Sequence, residues 1–222
     1  MNRCLNFLGT ESGFGNNNNS AYFEIDNEFV LIDCGFTVFK QLKDNIDFKR
    51  YNKINVIITH MHNDHCGSLS QLILYLWFVY GKKTNIITKC KNMNTYLEIT
   101  GTTKEAYEIT DSYNNLFFIE TEHVRELDCY GFKLQIKEKN IIFTGDTKDI
   151  NSFLEYMNDT NELYIDVSKN GGVHLKFEEI IPVLEKIKKA GTNIYLMHID
   201  DYEYIKKLNN NQFFFAWLKN IL

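Results

Sequence analysis

The stretch Thr59-His60-Met61-His62-Asn63-Asp64-His65-Cys66-Gly67 constrains this chain more than any other. Three imidazoles and a carboxylate fall within positions 60–65, directly after the apolar run Ile54-Asn55-Val56-Ile57-Ile58. A short apolar run bounded by polar residues reads as a buried strand, so the cluster is expected at a strand's C-terminal end. Side chains two apart on extended backbone point the same way, which lets His60 and His62 grip one cation. Asp64 and His65 fall where the chain turns into the next helix and can reach a second. The chain has only 6 histidines in 222 residues, so three of them this close together make a metal site rather than a chance polar loop.

Such a site is incomplete without partners, because a dinuclear centre needs about four donors per ion, a bridging water included. The other half of the chain offers them. His123 follows an expected strand over 116–119, Asp146 follows one over 141–144, and His198 follows one over 194–197. Gly145, just before Asp146, permits close backbone approach, and a carboxylate can bridge two cations. Donors placed repeatedly after strand ends converge on one edge of a β-structure.

The remaining pattern is mixed α/β. Further strands are expected over 4–8, 21–25, 29–32, 85–88, 130–137 and 163–167, and helices over 36–45, 67–80, 92–100, 149–157 and 177–190. The helix ending at Gly81 is apolar nearly all round and is expected to be buried between layers. Pro182 is expected to mark a helix start or a kink within 177–190. The polar segment 101–114 reads as a loop or lid near the site. Two groups of strands, each with helices, suggest two sheets face to face with helices outside. No repeat or linker is visible, so residues 1–222 are expected to form one domain.

Composition narrows the function. Apolar residues make up 44% of the chain and aromatics 14%, as in a globular protein, and the net charge is −5. An acidic chain lacks the clustered basic surface of a large nucleic-acid footprint, while a metal centre can still supply local positive charge to a small anion. The 5 cysteines are scattered, with no C-x-x-C pair, which suggests neither a disulfide framework nor a zinc ribbon. No signal peptide is visible, and the apolar run 72–80 is about half the ~20 residues of a membrane span. The expectation is a cytoplasmic protein without a membrane segment, and the apolar tail 213–218 is a candidate homodimer contact.

The motif H-x-H-x-D-H, here His60, His62, Asp64 and His65, with the later His123, Asp146 and His198, resembles the metallo-β-lactamase superfamily. Asp33 in Leu31-Ile32-Asp33-Cys34-Gly35 matches that superfamily's early structural aspartate, and the resemblance runs from residue 4 to about 200. It implies a four-layer αββα sandwich with two mixed β-sheets and two zinc ions, manganese or iron being possible substitutes. It further implies that His60, His62 and His123 hold one ion, Asp64, His65 and His198 the other, and Asp146 lies between them.

Departures from other branches are informative. The commoner β-lactamases carry cysteine where this chain has Asp146; glyoxalase II-like members carry P-G-H where Glu122 precedes His123; redox di-iron members carry an acid where His62 stands. The ribonuclease Z-like phosphodiesterase branch is the more similar one, through Phe7-Leu8-Gly9-Thr10-Glu11-Ser12-Gly13 and Asn19-Ser20-Ala21-Tyr22. His174 and Asp166 stand where that branch keeps a non-ligand catalytic histidine and its acidic partner. No Gly/Pro-rich insertion resembles the arm that grips the tRNA body, which favours a smaller phosphodiester or a short nucleic-acid substrate. The expected reaction is zinc-assisted hydrolysis by an activated water, with His174 as general acid, Asp166 orienting it and Asp64 at the reacting centre. The alternatives are a hydrolase of thioesters, lactones or β-lactams, and a non-catalytic metal-binding module.

Overall fold

The computed structural model describes residues 3–216. The chain starts with an antiparallel meander of β1 (Asn6–Gly9), β2 (Ser20–Ile25) and β3 (Glu28–Ile32). Helix α1 (Val38–Asn45) leads to β4 (Lys53–Ile57), which pairs parallel with β3. Two helices, α2 (Asn63–Cys66) and α3 (Leu69–Tyr80), precede β5 (Thr84–Ile87), and α4 (Met93–Ile99) precedes β6 (Tyr107–Thr110), both strands adding in parallel. The second half repeats this plan. The meander β7 (Leu116–Glu120), β8 (Tyr130–Ile136) and β9 (Lys139–Phe143) is followed by α5 (Asn151–Leu154) and the parallel strand β10 (Glu162–Asp166). Helix α6 (Phe177–Lys189), β11 (Asn193–Met197), α7 (Tyr202–Asn209) and the short β12 (Phe214–Phe215) complete it, again in parallel. Each half is thus a six-stranded mixed sheet with its strands in chain order, although no repeat is visible in the sequence.

Alternation along the strands builds the four layers, because successive side chains leave opposite faces of a sheet. On β3, Val30 and Ile32 enter the core between the sheets, while Phe29 and Leu31 pack outward with Val38, Leu42 and Leu76 from the helices. On β9 and β10, Ile141, Phe143 and Tyr164 point inward, and Ile142, Leu163 and Ile165 point out toward Phe177, Ile180 and Leu184 of α6. Each fully buried side chain of this kind contributes about 1.5–3 kcal/mol. This is the αββα sandwich expected from the sequence.

Three expectations need correction. Helix α3 is not buried between layers: Leu69, Leu72, Ile73 and Leu76 pack on the sheet, but Phe78 and Val79 are exposed, because an outer helix has a partner on one side only. The segment 101–114 is neither a lid nor a loop throughout; it forms a 3₁₀ turn over Lys104–Ala106 and then the edge strand β6, away from the site. Pro182 lies inside α6, the second of the two places expected for it, and not at the helix start. Within the aromatic tail, Phe213 and Ala216 are buried in the chain's own core, which removes them as dimer contacts; residues 217–222 lie outside those described. Among the described residues no helix is long and apolar enough to cross a membrane.

Candidate active site

The donors all stand at or just beyond C-terminal strand ends: Asp33 after β3, His60 after β4, His123 after β7, Asp146 after β9, Asp166 ending β10, and His198 after β11. Ligand sites of open α/β sheets form on this edge. Here the two sheets bring their edges together, and all six histidines of the chain meet in one cluster. Two of the turns are conformationally costly. Asp33 has φ +59° and His198 φ +54°, left-handed values that cost a non-glycine residue on the order of 1 kcal/mol and that persist where function requires them. Gly145 has φ +57°, and a Cβ there would lie 2.6 Å from the Tyr130 carbonyl, so the close approach read from the sequence is present.

Three groups of four donors share Asp146: one is Asp146, Asp166, His174 and His198, and the other two match the expected ligand sets. Of these two, His60, His62, His123 and Asp146 form the first, and Asp64, His65, Asp146 and His198 the second. In the second group the donor separations are 3.2 Å for Asp64 Oδ2 to His65 Nε2 and to His198 Nε2, and 3.3 Å for Asp146 to His65 Nε2 and to His198 Nε2. Four donors at ordinary zinc distances in a tetrahedron stand about 3.3 Å apart, so this cage has the right edge length. The first group is slightly looser. His62 Nδ1 lies 3.0 Å from His60 Nε2 and 3.2 Å from His123 Nε2, and Asp146 Oδ2 lies 3.7 Å from both His60 and His123.

Outer hydrogen bonds aim the rings. Asp33 Oδ2 accepts from His65 Nδ1 at 2.8 Å, and Asp33 also accepts from the backbone and hydroxyl of Thr59. Thr59 Oγ1 stands 3.1 Å from His60 Nδ1, and the Val173 carbonyl accepts from His123 Nδ1 at 2.7 Å. These contacts leave the opposite ring nitrogens facing the cluster, which is how proteins orient metal-ligating histidines. Thr59 and Val173 were not expected to take part. Val173 acts through a backbone carbonyl 50 residues from His123, for which no side-chain signal exists.

Electrostatics fits a cation in each of these two groups. Burial, joined by the neighbouring His65, holds His60 well below the ordinary imidazole range; burial likewise lowers His62 and His123. All three are therefore neutral, as ligation requires. For His65 burial also opposes charge, but the carboxylates of Asp146 and Asp33 outweigh it and raise the ring well above its usual value. His198 is pushed up to about 10, burial being overcome by Asp146, Asp166 and Asp64. The carboxylates of Asp64 and Asp146 resist the raising effect of burial and stay below their usual range because of those same rings. Buried carboxylates in this number demand positive charge, and divalent cations supply it while displacing the imidazole protons. His65 Nε2 and Asp146 Oδ1 lack any hydrogen bond despite burial; at 3.3 Å they are in ion contact without hydrogen-bond geometry, as two donors to one metal would be.

His174 and Asp166, the pair expected beside the donors, meet there. Asp166 Oδ2 accepts from His174 Nδ1 at 2.8 Å and from the Thr147 backbone at 3.1 Å, and Asp166 Oδ1 lies 3.4 Å from His198 Nδ1. Burial opposes protonation of His174, but the charge and hydrogen bond of Asp166 prevail and raise it above the ordinary value. With Nδ1 held by Asp166, Nε2 is left for the cavity that the ring lines. That cavity has a volume of about 630 Å³ and is bordered by Asp64, Asp146, His174 and His198, by Phe14 and Phe36, and by Ser168 and Asp200. The loop over residues 10–19 contributes Ser12, Gly13 and Phe14 to its border, whereas segment 101–114 contributes nothing.

The model of the anti-Pycsar protein Apyc1 family matches residues 4–98 and 88–219. The anti-Pycsar protein Apyc1 of Bacillus phage 010DV004 is 27% identical over 235 residues, covering 89% of both chains. A ribonuclease Z of Sulfurisphaera tokodaii is 25% identical over 206 residues, covering 90% of this chain and 64% of the relative. Among solved structures, the metallo-β-lactamase fold protein YhfI of Bacillus subtilis superposes with a TM-score of 0.75 at 17% identity, over 95% of this chain and 92% of that one. The fold is therefore that of the metallo-β-lactamase superfamily, in its ribonuclease Z-like branch.

Proposed function

The chain belongs to the family of the anti-Pycsar protein Apyc1, and from that premise we propose that it is a dinuclear zinc phosphodiesterase acting on a small nucleotide phosphodiester, with cyclic nucleotides the favoured class. One observation carries this reading. The two groups that match the expected ligand sets share Asp146, and on their rim stands His174, its Nδ1 bonded to Asp166. A thiolate leaves without a proton, whereas the alkoxide of a phosphodiester needs one, which this second histidine–carboxylate pair is placed to give.

The size of the site supports the substrate class. A cavity near 630 Å³ is in the range of single small-molecule sites and holds one nucleotide, not a folded RNA. The net charge of −5 agrees, since a large nucleic acid would require a basic footprint. Asp64, Asp146 and Asp200 border the same cavity, so an anionic phosphodiester can enter only where cations offset them.

His60, His62, His123 and Asp146 would hold one zinc, and Asp64, His65, Asp146 and His198 the other. Zinc bound there would supply a Lewis acid for the phosphoryl oxygens and would lower the pKa of a bound water towards ~7. The chain's own residues do the rest. Asp33 fixes His65, and Asp166 fixes His174 while touching His198. The leaving alkoxide must be protonated, and His174 Nε2 donates that proton, a contribution typically of about 10²–10⁴-fold. Asp166 accepts from Nδ1–H and its charge stabilises the imidazolium, the form in which Nε2 also carries a proton on the cavity side.

The test is a zinc-replete preparation assayed on 3′,5′-cyclic nucleotides, short oligonucleotides, a tRNA precursor, nitrocefin and S-lactoylglutathione, with metal content read by mass spectrometry. The expected result is about two metals per chain and turnover of the cyclic nucleotides. A metal-replete protein inert on every phosphodiester overturns the reading, and turnover of the lactam or thioester alone replaces it.

A further inference from the structure

Two aromatic rings at the lip of the cavity have no work in the hydrolysis itself. Phe14 is 108% exposed and Phe36 58%, yet both border the cavity that holds the donors. Scattered exposed apolar residues are ordinary on a protein surface. Among the described residues the exposed large apolar side chains include Phe78, Ile99 and Phe117, but of them only Phe14 and Phe36 line the active-site cavity.

Each ring is presented by anchored backbone. The loop carrying Phe14 is pinned beside the donor His198 by Ser12 N donating to the Ile199 carbonyl at 3.1 Å. It is closed by Gly15 N to the Ser12 carbonyl at 2.8 Å and by Glu11 N to the Asn17 carbonyl at 3.0 Å. Phe14 thus stands at the tip of a tied turn. Phe36 rests on the junction of α2 and α3, where a Cβ on Gly67 would lie 2.7 Å from its Cδ1. A side chain at 67 would push the ring off its seat. One face of Phe36 is supported in this way, and the rest is left to the cavity and the solvent.

We propose that Phe14 and Phe36 form the base-binding rim of the site, stacking on the nucleobase of the substrate while the metal-donor groups engage its phosphate. Flat heterocycles stack on aromatic side chains irrespective of base identity, so such a rim selects for nucleotides as a class. The occupant is a nucleobase rather than a protein partner because the rings open onto the same cavity as the phosphate chemistry, and that cavity, about 630 Å³, is in the range of small-molecule sites. This assignment rests on the phosphodiesterase reading for its substrate class, but it is tested by binding, which does not depend on turnover.

The experiment measures dissociation constants by calorimetry on the zinc-loaded full chain, using a 3′,5′-cyclic nucleoside phosphorothioate and the matching 1-O-methylribose 3′,5′-cyclic phosphorothioate, which lacks the base. Wild type should bind the nucleoside analogue at least 5-fold more tightly than the abasic one. Phe14→Ala and Phe36→Ala should each weaken the nucleoside analogue by roughly 5- to 150-fold, leave the abasic analogue within 2-fold, and be rescued by Phe14→Trp and Phe36→Trp. Equal binding of the two analogues by wild type overturns the proposal, as does equal weakening of both by the alanine variants. A change in oligomer size on Phe14→Ala, with base dependence unchanged, makes Phe14 a contact with a second copy and also overturns it. Base-dependent binding without hydrolysis of any cyclic nucleotide sinks the phosphodiesterase reading and leaves the rim standing.

Discussion

In the sheet β1–β6 a single strand end delivers His60, His62, Asp64 and His65, whereas in the sheet β7–β12 three strand ends deliver His123, Asp146 and His198 one at a time. The two sheets share a connection plan, so the difference lies in how each wall of the site is specified. The first wall is local: once β4 ends and α2 begins, backbone geometry alone places its four donors. The second wall is tertiary. It holds only if β7 to β11 pair in the observed register, because a one-residue slip turns a strand's side chains to the other face. Half of each expected ligand set therefore depends on sheet register.

Asp146 is where the comparison can be broken most decisively, since it belongs to both ligand sets. Asp146→Ala should cut hydrolysis by about 10³-fold or more, several kcal/mol of transition-state stabilisation, and lower the metal content of the chain. His62→Ala removes a donor from one group only and should leave the other ion bound. Metal analysis decides: an Asp146→Ala protein that retains both ions would show that the local wall suffices.

His174→Ala should reduce turnover by about 10²–10⁴-fold with both metals retained. The wild-type pH profile carries the sign. Asp166 raises His174 above the ordinary imidazole value against the opposing effect of burial, so the ring keeps its proton to higher pH than a free imidazole and loses it as pH rises through that raised value. Activity should accordingly fall on the alkaline side, and that limb should vanish in His174→Ala. Metal loss in the variant would make His174 a ligand, which its place beside Asp146, Asp166 and His198 allows geometrically.

The aspartates behind each wall sharpen the contrast further. Asp33 touches one donor ring, His65, while Asp166 touches His174 at 2.8 Å and His198 at 3.4 Å. Asp33→Asn should weaken metal binding about 10- to 100-fold and recover activity when zinc is raised. Asp166→Asn should weaken zinc by less, because the contact to His198 is longer, yet leave a rate defect that saturating zinc does not restore. Identical responses of the two variants to added zinc would erase the distinction between the walls.

The same asymmetry explains what could be read from the sequence. The cluster at 60–65 was legible from spacing alone, and the strands alternating with helices announced two layered sheets. His123, Asp146 and His198 were each an ordinary residue after an apolar run; their shared place after strand ends joined them, and the family pattern gave each its role. Thr59 and the Val173 carbonyl were not legible, since neither residue type signals a ring-orienting role. Two misreadings have physical reasons. Helix α3 is apolar on both faces although only one packs, so periodicity overstated its burial. Segment 101–114 is polar because β6 is an edge strand, with exposed Glu108 and Ile109, not because it is a lid.

The smallest effect belongs to the residue between the first two donors. Met61 alternates away from the cluster and packs against the outer core of the first sheet with α1 and α3 residues. If the first wall is set by local backbone, the volume of this side chain matters and its chemistry does not. Met61→Leu, a volume-conserving change, should then cost less than about 1.5 kcal/mol of stability and leave metal content and turnover within 2-fold. Denaturant unfolding and the cyclic-nucleotide assay read both quantities. A large loss of turnover at unchanged stability would mean that the thioether reaches the reacting centre, and that the wall described as local depends on more than its backbone.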